Sequence, residues 1–265
     1  MFLAIDMGNT NGVFALFDGD QMTGGPWRLA TDGRRTSEEY AVWLQGLMDL
    51  SGNHRLTDVS GVVLANVVPT TQAALVAMTA RYLMAPLVDV EAIASDLEVR
   101  VLVDRPEHVG ADRLANAVGV KVRHGGPAII VDFGTATTFD VVDGSGNYVG
   151  SVIAPGPQRA VEALASAAAR LPLISLTRPQ SVIGKATIPA MQSGVYWGYI
   201  ALIEGLIRRI RGEASGELKV IGTGGLAALF ADDTDIFDIM DPDLTLNGLA
   251  SIWRRHGPAV PDGGS

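Results

Sequence analysis

The sequence predicts an α/β protein built from two similar halves. Short runs rich in β-branched residues alternate with stretches whose apolar residues recur at helical spacing. Asp6-Met7-Gly8 and Asp132-Phe133-Gly134 each follow a strand-like run and lead through a polar turn into a second run that ends at Asp-Gly. From residue 6 to residue 132 is 126 residues, nearly half of the 265-residue chain. Two interpretations are open: a duplicated domain with a site between the copies, or two hairpins that are alike by chance.

Composition excludes several functional classes. The net charge of −9 disfavours a nucleic-acid partner, which needs a basic face. The absence of cysteine excludes disulfides, thiolate zinc sites and cysteine nucleophiles. No apolar run reaches the roughly 18 residues of a membrane span, and the apolar N-terminus is too short for a signal peptide, so we expect a cytoplasmic protein with no membrane partner. Charged residues make up only 18% of the chain, which favours a second buried interface such as an oligomer contact.

Local patterns predict the elements of the first half in order. Thr36 and Glu39 have the spacing of a capping box, so a helix begins there. Gly125-Gly126-Pro127 breaks the chain at the end of this half. The expected elements are strands over Phe2–Ile5 and Val13–Phe17, the helix opened by Thr36, a strand over Val59–Val68, a helix over Gln72–Leu83, a strand near Leu87–Val90 and a helix from Ala111 to His124.

The second half opens with the same pattern as the first. Its expected elements are strands over Ala128–Val131 and Thr138–Val142, a long amphipathic helix over Met191–Arg211, a strand over Lys219–Thr223 and a closing helix over Leu244–Arg255. The break near residue 125 therefore predicts an N-terminal domain over residues 1–124, a C-terminal domain over residues 125–256 and a flexible, Gly/Pro-rich tail over residues 257–265.

The segment from Asp6 to Gly12 has the composition of a phosphate-binding turn. Its glycines allow backbone N–H groups to approach an anion, and Asn9, Thr10 and Asn11 add neutral donors. Asp6, at the strand end, could hold a metal ion or its water. An ordinary hairpin turn made of turn-forming residues is an equally open interpretation.

The segment from Asp132 to Thr138 is rich in threonine hydroxyls that could donate to phosphate oxygens, although threonine is also a good strand former. Neither this segment nor the first contains Lys or Arg. A triphosphate bound there would need cations held by Asp6 and Asp132.

Two further segments complete the set of candidates. Thr223-Gly224-Gly225-Leu226 leaves a flat backbone surface against which a nucleobase could lie, or it simply opens a helix. Asp112 and Arg113 are either a capping pair at a helix start or a base beside an anion clamp. Rossmann, P-loop and hydrolase-elbow signatures are absent.

Five motifs occur in one order along the chain, and together they resemble type III pantothenate kinases from Phe2 to about Arg255. The motifs are Asp6-Met7-Gly8-Asn9-Thr10-Asn11, Gly110-Ala111-Asp112-Arg113, Asp132-Phe133-Gly134-Thr135-Ala136-Thr137-Thr138, Met191-Gln192-Ser193-Gly194 and Thr223-Gly224-Gly225-Leu226. The resemblance implies the fold of actin, sugar kinases and heat-shock ATPases: two ribonuclease-H-like domains with mixed five-stranded sheets and a nucleotide cleft between them.

The resemblance also implies an activity and roles for individual residues. The reaction is ATP-dependent phosphorylation of pantothenate to 4′-phosphopantothenate, the first step of coenzyme A biosynthesis, with Mg²⁺ and a monovalent cation, K⁺ or NH₄⁺. Family members are homodimers with the substrate pocket near the interface. Asp112 matches the catalytic proton acceptor and Asp132 the ligand of the monovalent cation. The matched nucleotide-binding residues are Asp6, Met7, Gly8, Asn9, Thr10, Asn11, Gly12, Val13 and Thr135, and the matched substrate-binding residues are Gly110, Ala111, Asp112, Arg113 and Thr187.

The chain departs from the family pattern at the expected substrate pocket. Val103 stands where many members have a substrate-contacting Tyr, Pro157-Gln158-Arg159 replaces an apolar-Gly run, and Ala186 stands where many members have Asn. These departures leave two alternatives open. One is a kinase for another small alcohol on the same scaffold, and the other is a non-catalytic regulatory relative.

Overall fold

The computed structural model describes residues 1–52, 54–167, 171–214 and 216–258. The chain forms two compact units, each built on a mixed five-stranded sheet. The first unit contains Met1–Arg100, Asp104–His124 and the chain from Leu244 onward, and the second contains Val101–Val103 and Gly125–Asp243. The predicted α/β class with two similar halves is confirmed by the two sheets.

The sheet of the first unit carries the predicted phosphate turn at one edge of its central strands. Its strands are β1 (Phe2–Met7), β2 (Asn11–Asp18), β3 (Gln21–Ala30), β4 (Val62–Asn66) and β5 (Leu87–Asp89), in the order β3-β2-β1-β4-β5. Helices α1 (Ser37–Gly52), α2 (Pro69–Met78) and α3 (Ala111–Arg123) belong to the same unit. β1 pairs antiparallel with β2 and parallel with β4, so the carboxyl ends of β1 and β4 lie side by side.

Alternation along β1 separates two cores. Leu3, Ile5 and Met7 point into a cluster completed by α1 and α2. Helix α1 starts where the sequence predicts: the Thr36 amide donates to the Glu39 carboxylate at 2.8 Å, and the Glu39 amide donates to the Thr36 hydroxyl at 3.2 Å. This reciprocal pair is the predicted capping box.

The second unit repeats the strand order of the first. Its elements are β6 (Ala128–Phe133), β7 (Ala136–Val142), β8 (Tyr148–Pro155), α4 (Pro157–Ala167), α5 (Thr187–Glu213), β9 (Lys219–Thr223), α6 (Ala227–Ala231) and β10 (Ile239–Met240). The strand order is β10-β9-β6-β7-β8, with β6 antiparallel to β7 and parallel to β9. The buried face of α5 packs on β6 through a cluster that includes Ile129, Val131, Tyr196 and Ile203.

The closing helix α7 (Leu244–His256) returns to the first unit and packs on α3 and on the face of β1 opposite to α1. The rings of Phe2 and Trp253 stack there at 5.4 Å. The chain break near residue 125 predicts this helix in the domain over residues 125–256, whereas it belongs to the first unit. An amphipathic pattern identifies an apolar face but not the sheet that it covers. Most of the predicted tail, residues 259–265, lies outside the described residues.

Four regular elements are absent from the sequence prediction: β3, β8, α4 and β10. Strand β3 contains Gly24-Gly25-Pro26 at its centre, a sequence that argues against a strand. The strand forms nevertheless because it lies at the sheet edge, where Pro and Gly are tolerated. Strand β8 is also an edge strand and shows a weak apolar period. Within the described residues, no helix is long and apolar enough to cross a membrane.

Candidate active site

The predicted phosphate turn lies between β1 and β2 at the carboxyl end of the central strand. The Gly8 amide donates to the Asn11 carbonyl at 3.1 Å, which closes the turn. The side chains of Asn9, Thr10 and Asn11 are exposed, whereas Met7 is 1% exposed and belongs to the core beneath them. Thus the turn presents exposed polar side chains and backbone on a rigid hydrophobic base, as an anion site requires.

A second loop contacts this turn, and the sequence analysis did not assign it to the site. The Thr31 hydroxyl donates to the Gly8 carbonyl at 2.6 Å, and the Thr31 amide donates to the Thr10 carbonyl at 3.0 Å. Thr31 directly follows β3, which the sequence did not predict, so the connection from β3 to α1 could not be placed against the turn. Its two hydrogen bonds fix the geometry of the turn.

Asp112 lies in the first turn of α3, which begins after Gly110. Its Oδ1 accepts the Arg113 amide at 2.8 Å, and the helix dipole favours its negative charge at this end. Gly110 is the residue at the N-cap position, so Asp112 is not the N-cap itself, but its carboxylate accepts an amide of the first turn and stabilises the helix start. A Cβ at Gly110 would overlap the Asp112 carboxylate, so a larger residue there would displace that group.

The start of α3 lies at the same edge of the first unit as the phosphate turn. A Cβ placed on Gly110 would lie 3.2 Å from a methyl carbon of Val67. The Val67 amide in turn donates to the Met7 carbonyl at 3.0 Å. Two separately predicted features, the turn that follows Met7 and the carboxylate of Asp112, therefore lie on one side of the sheet.

Asp132 occupies the place in the second unit that Asp6 occupies in the first: each lies one residue before the end of its strand, β6 and β1. Asp132 is half-buried and pairs in register with Thr138 on one side and Thr223 on the other. Gly224 has a φ of +89° and approaches so closely that a Cβ there would overlap Oδ1 of Asp132. The Thr223-Gly224 segment therefore folds against the carboxylate, and glycine is required by both the backbone angle and the contact.

The threonine-rich segment divides into a turn and a strand. Thr135 lies in the turn after β6, and its carbonyl accepts the Gly156 amide at 3.1 Å. Thr137 is fully buried in β7 and hydrogen-bonds the Tyr199 hydroxyl, which also donates to the Pro155 carbonyl at 2.9 Å. Burial raises the pKa of Tyr199 above its usual value, so this tie between β7, β8 and α5 stays protonated. For Thr137 the strand interpretation is correct, and Thr135 remains the candidate ligand.

Comparison with known proteins decides the family. A family model described as type III pantothenate kinase matches residues 2–209. The chain belongs to the type III pantothenate kinase family. Curated type III pantothenate kinases from Paramagnetospirillum magneticum and Rhodospirillum rubrum are 50% and 52% identical to it, covering 98% and 97% of this chain and 99% and 100% of theirs.

The fold of this type III pantothenate kinase extends to far more distant proteins. A structure described as a putative 2-dehydro-3-deoxygalactonokinase from Sinorhizobium meliloti aligns over 100% of both chains with a TM-score of 0.56 and 12% identity. At that identity the likeness concerns the fold alone. Together with the two repeated sheets, it identifies the actin-like ATPase and sugar-kinase architecture that the sequence motifs imply.

The remaining candidate residues for the substrate pocket of this pantothenate kinase belong to the second unit. Thr187 is the first residue of α5 and is exposed. Pro157-Gln158-Arg159 opens α4, where Pro is favourable at the first helical position. Val103 is half-buried beside Leu102, whose amide donates to the Tyr148 carbonyl at 2.7 Å.

The carboxylates of the candidate site suit a cation that is also bound by phosphate oxygens of a substrate. Among the described residues, no group of three or more His, Cys, Asp or Glu side chains could form a metal cage. Mg²⁺ in nucleotide sites needs only one or two carboxylates, because phosphate oxygens and water complete its shell. Asp6 and Asp132, each near the end of a central strand, fit this requirement.

Proposed function

We propose that this chain transfers the γ-phosphoryl group of ATP to the primary hydroxyl of pantothenate in the cytoplasm. The product, 4′-phosphopantothenate, is the first intermediate of coenzyme A biosynthesis. Family membership supports the reaction and the substrate. The structural observation that carries the proposal is the link from Met7 through Val67 to Gly110, which brings the phosphate turn and Asp112 to one edge of the first unit.

In this mechanism the residues of the chain position the reactants and accept one proton. The segment Asp6–Val13 holds the phosphates through backbone amides and the hydroxyl and amide side chains. Asp112 accepts the proton of the attacking hydroxyl as the oxygen bonds to the γ-phosphorus, and the bond to the β-phosphate oxygen breaks to release ADP. Phosphoryl transfer depends mainly on such alignment and on charge stabilisation.

Cations supply the charge neutralisation that these two segments lack. Asp6 would bind Mg²⁺ or its water, and Asp132 would bind K⁺ or NH₄⁺, with Thr135 as a further contact to the nucleotide. When bound, these ions stabilise the negative charge that spreads over the transferring phosphoryl oxygens. Asp132 is suited to the role because its carboxylate lies at the end of a buried strand, backed by Gly224.

Gly110, Ala111, Asp112, Arg113 and Thr187 make up the proposed pantothenate contacts. Arg113 offers a guanidinium that can pair with the carboxylate of pantothenate. Ala111 is buried, so its contribution is the main chain at the start of α3. Val103 supplies no hydroxyl at a position where many relatives have Tyr, so the hydrogen bonds to substrate fall to the residues named here.

The experiment that tests this function is ADP release from ATP and Mg²⁺, with and without pantothenate, in potassium and then in sodium buffer. We expect turnover that requires pantothenate and rises in potassium. Asp112→Asn should lower kcat about 10²–10⁴-fold, the usual contribution of a positioned base, with little change in thermal stability. Glu107→Gln is the matched control, because Glu107 is exposed in the turn that precedes α3. Turnover without pantothenate, or full activity of the Asp112 variant, contradicts the assignment.

We also propose that the protein is a homodimer that associates through its second unit. Leu102, Val149 and Ile153 are 47%, 39% and 59% exposed, and all three lie on or beside the edge strand β8. Sedimentation velocity is expected to give twice the chain mass, and Ile153→Glu is expected to shift the protein to monomer. A monomeric wild-type protein at micromolar concentration would contradict the proposal.

A further inference from the structure

The connection from β3 to α1 contacts the phosphate turn through Thr31 and contains two arginines, Arg34 and Arg35. Thr31 fastens its start to Gly8 and Thr10 through the two hydrogen bonds described above. Further along, a side chain at Gly33 would overlap Thr70 at the start of α2. The connection therefore crosses the same edge of the sheet as the turn, and contacts at both ends restrain it.

Arg35 is held in a defined position on this connection. Its amide donates to the Asp32 carbonyl at 3.1 Å, which closes a β-turn and keeps the two Cα atoms within about 7 Å. Its guanidinium carbon lies 5.6 Å from the ring centroid of Tyr40, a cation–π distance. Tyr40 is 1% exposed and packs in the same core cluster as Met7, the residue directly before the phosphate turn.

The Arg35 guanidinium forms no direct ion pair with a carboxylate among the described residues, although its charge acts on the nearby Asp32 carboxylate. Its Nε is buried and makes no hydrogen bond there. The nearest carboxylate in sequence, Asp32, is hydrogen-bonded instead by the Nε and Nη2 atoms of Arg34. A buried donor of a charged group that lacks an acceptor is costly, and such a group is satisfied when an anion binds.

The neighbouring turn identifies that anion as a phosphate. The segment Asp6–Val13 contains no Lys or Arg, although the bound triphosphate carries several negative charges. Arginine matches phosphate oxygens through two parallel N–H groups and is preferred where such recognition is required. We propose that Arg35 binds the terminal phosphate oxygens of ATP and supplies the protein cation that the turn itself lacks. This inference rests on the assignment of Asp6–Val13 as the phosphate turn.

The test compares Arg35→Gln with Arg34→Gln, a matched neighbour whose side chain is 91% exposed and paired with Asp32. Calorimetry with a non-hydrolysable ATP analogue is expected to show affinity about 10–100-fold lower for Arg35→Gln, the range for losing one or two charge-assisted bonds. Adenosine, which has no phosphate, should bind both variants like the wild type. Arg34→Gln should change the affinity for the analogue less than twofold. The melting temperature of Arg35→Gln without ligand should change little, because removal of a buried donor without an acceptor offsets loss of the contact with Tyr40.

Other results would overturn the inference in distinguishable ways. Equal losses for adenosine and the analogue would make Arg35 a structural residue. If Arg35→Gln raised only the KM for pantothenate, the anion that Arg35 binds would be the carboxylate of pantothenate and not a phosphate of ATP. A third variant, Asn11→Ala, tests the turn. If Asn11→Ala weakens binding of the analogue and Arg35→Gln does not, only the role of Arg35 is wrong. If neither variant weakens it, the phosphate turn is wrongly assigned.

Discussion

Three side chains of the second unit, Arg178, Asp233 and Tyr196, form a hydrogen-bonded charge network that includes none of the candidate site residues. Arg178 pairs with both carboxylate oxygens of Asp233 at 2.5 and 2.6 Å, and the Tyr196 hydroxyl lies 2.6 Å from the same group. The Arg178 guanidinium holds the pKa of Asp233 below its usual range. Burial, reinforced by Asp233, raises the pKa of Tyr196 to about 12. Asp233 is therefore charged and Tyr196 neutral across the physiological range.

This network makes stability depend on pH on the acid side. Because the pKa of Asp233 is lower in the folded state, unfolding takes up a proton at pH values between the folded pKa and the unfolded value of about 3.9. The stabilisation is present above that unfolded value and is lost as the pH falls through the folded pKa. We expect Asp233→Asn to be less stable than wild type at pH 7, and the difference to shrink as the pH approaches 3.

Urea midpoints followed by circular dichroism from pH 7 to pH 3 measure this difference. Asp232→Asn serves as the control, since Asp232 is the exposed neighbour on the same segment. Curves for wild type and Asp233→Asn that stay parallel over the whole range would show that the carboxylate contributes nothing through its charge.

At this scale, local sequence patterns mark the acidic candidate residues more clearly than they mark Arg35. Asp6 and Asp132 each lie one residue before the end of a strand, Asp112 lies in the first turn of a helix, and a glycine stands two residues from each of them. Arg35 follows a strand that the sequence does not reveal, and its contact with Tyr40 spans a helix start. The role proposed for Arg35 at the predicted phosphate turn depends on the pairing of β3 with β2, a tertiary contact that no local pattern encodes.

Among the elements, the crossing of α3 and α7 depends on two glycines. A Cβ at Gly119 would lie 2.8 Å from the Leu244 carbonyl oxygen, and one at Gly248 would overlap the Ala115 carbonyl. The obstacles are backbone atoms, which cannot move as a flexible side chain can. The two helices therefore approach more closely than any residue with a Cβ would allow, and the Thr245 hydroxyl donates to Asn116 across the contact at 2.7 Å.

Replacing Gly248 by Ala should separate these helices. Overpacking of this kind costs about 1–3 kcal/mol, which exceeds the gain of up to about 1 kcal/mol from the higher helix propensity of Ala. Gly46→Ala in α1 is the control, because that glycine is exposed and a Cβ there meets no atom within 4 Å. Chemical unfolding should show Gly248→Ala destabilised and Gly46→Ala unchanged or stabilised. A stabilised Gly248→Ala protein would mean that the crossing is not close.

The elements that the sequence predicts correctly are those with caps or uninterrupted apolar runs. Lys219–Thr223 is predicted at its observed bounds, and the start of α1 is set by the capping box. The long helix is predicted from Met191, but it begins at Thr187 because the Pro189 within its first turn is compatible with a helix start. Strands β3 and β8, at the two sheet edges, are stabilised by pairing rather than by their own composition.

On the scale of the whole molecule, the second unit, apart from Val101–Val103, is an insertion into a helical hairpin of the first. Gly119 lies against Leu244 and Ala115 against Gly248, so α3 and α7 run antiparallel with the end of α3 beside the start of α7. The intervening segment, Gly125–Asp243, belongs to the second unit. Insertions are tolerated where the flanking ends lie close together, as they do here. This topology explains why a division at residue 124 alone misplaces α7.

The same topology predicts which pieces of the chain fold. Residues 1–124 lack five α7 side chains that are at most 8% exposed: Leu244, Leu246, Leu249, Ile252 and Trp253. Burying them is worth on the order of 10 kcal/mol, comparable to the whole stability of a domain, so this fragment should not fold. Joining residue 124 to residues 243–258 through about six Gly and Ser residues closes the hairpin with a nearly natural loop and should restore a cooperative thermal transition. Calorimetry of both proteins tests for this transition. Gly248→Ala in the fusion is the control and should lower the transition temperature. A cooperative transition in residues 1–124 alone would mean that the first unit is complete without α7.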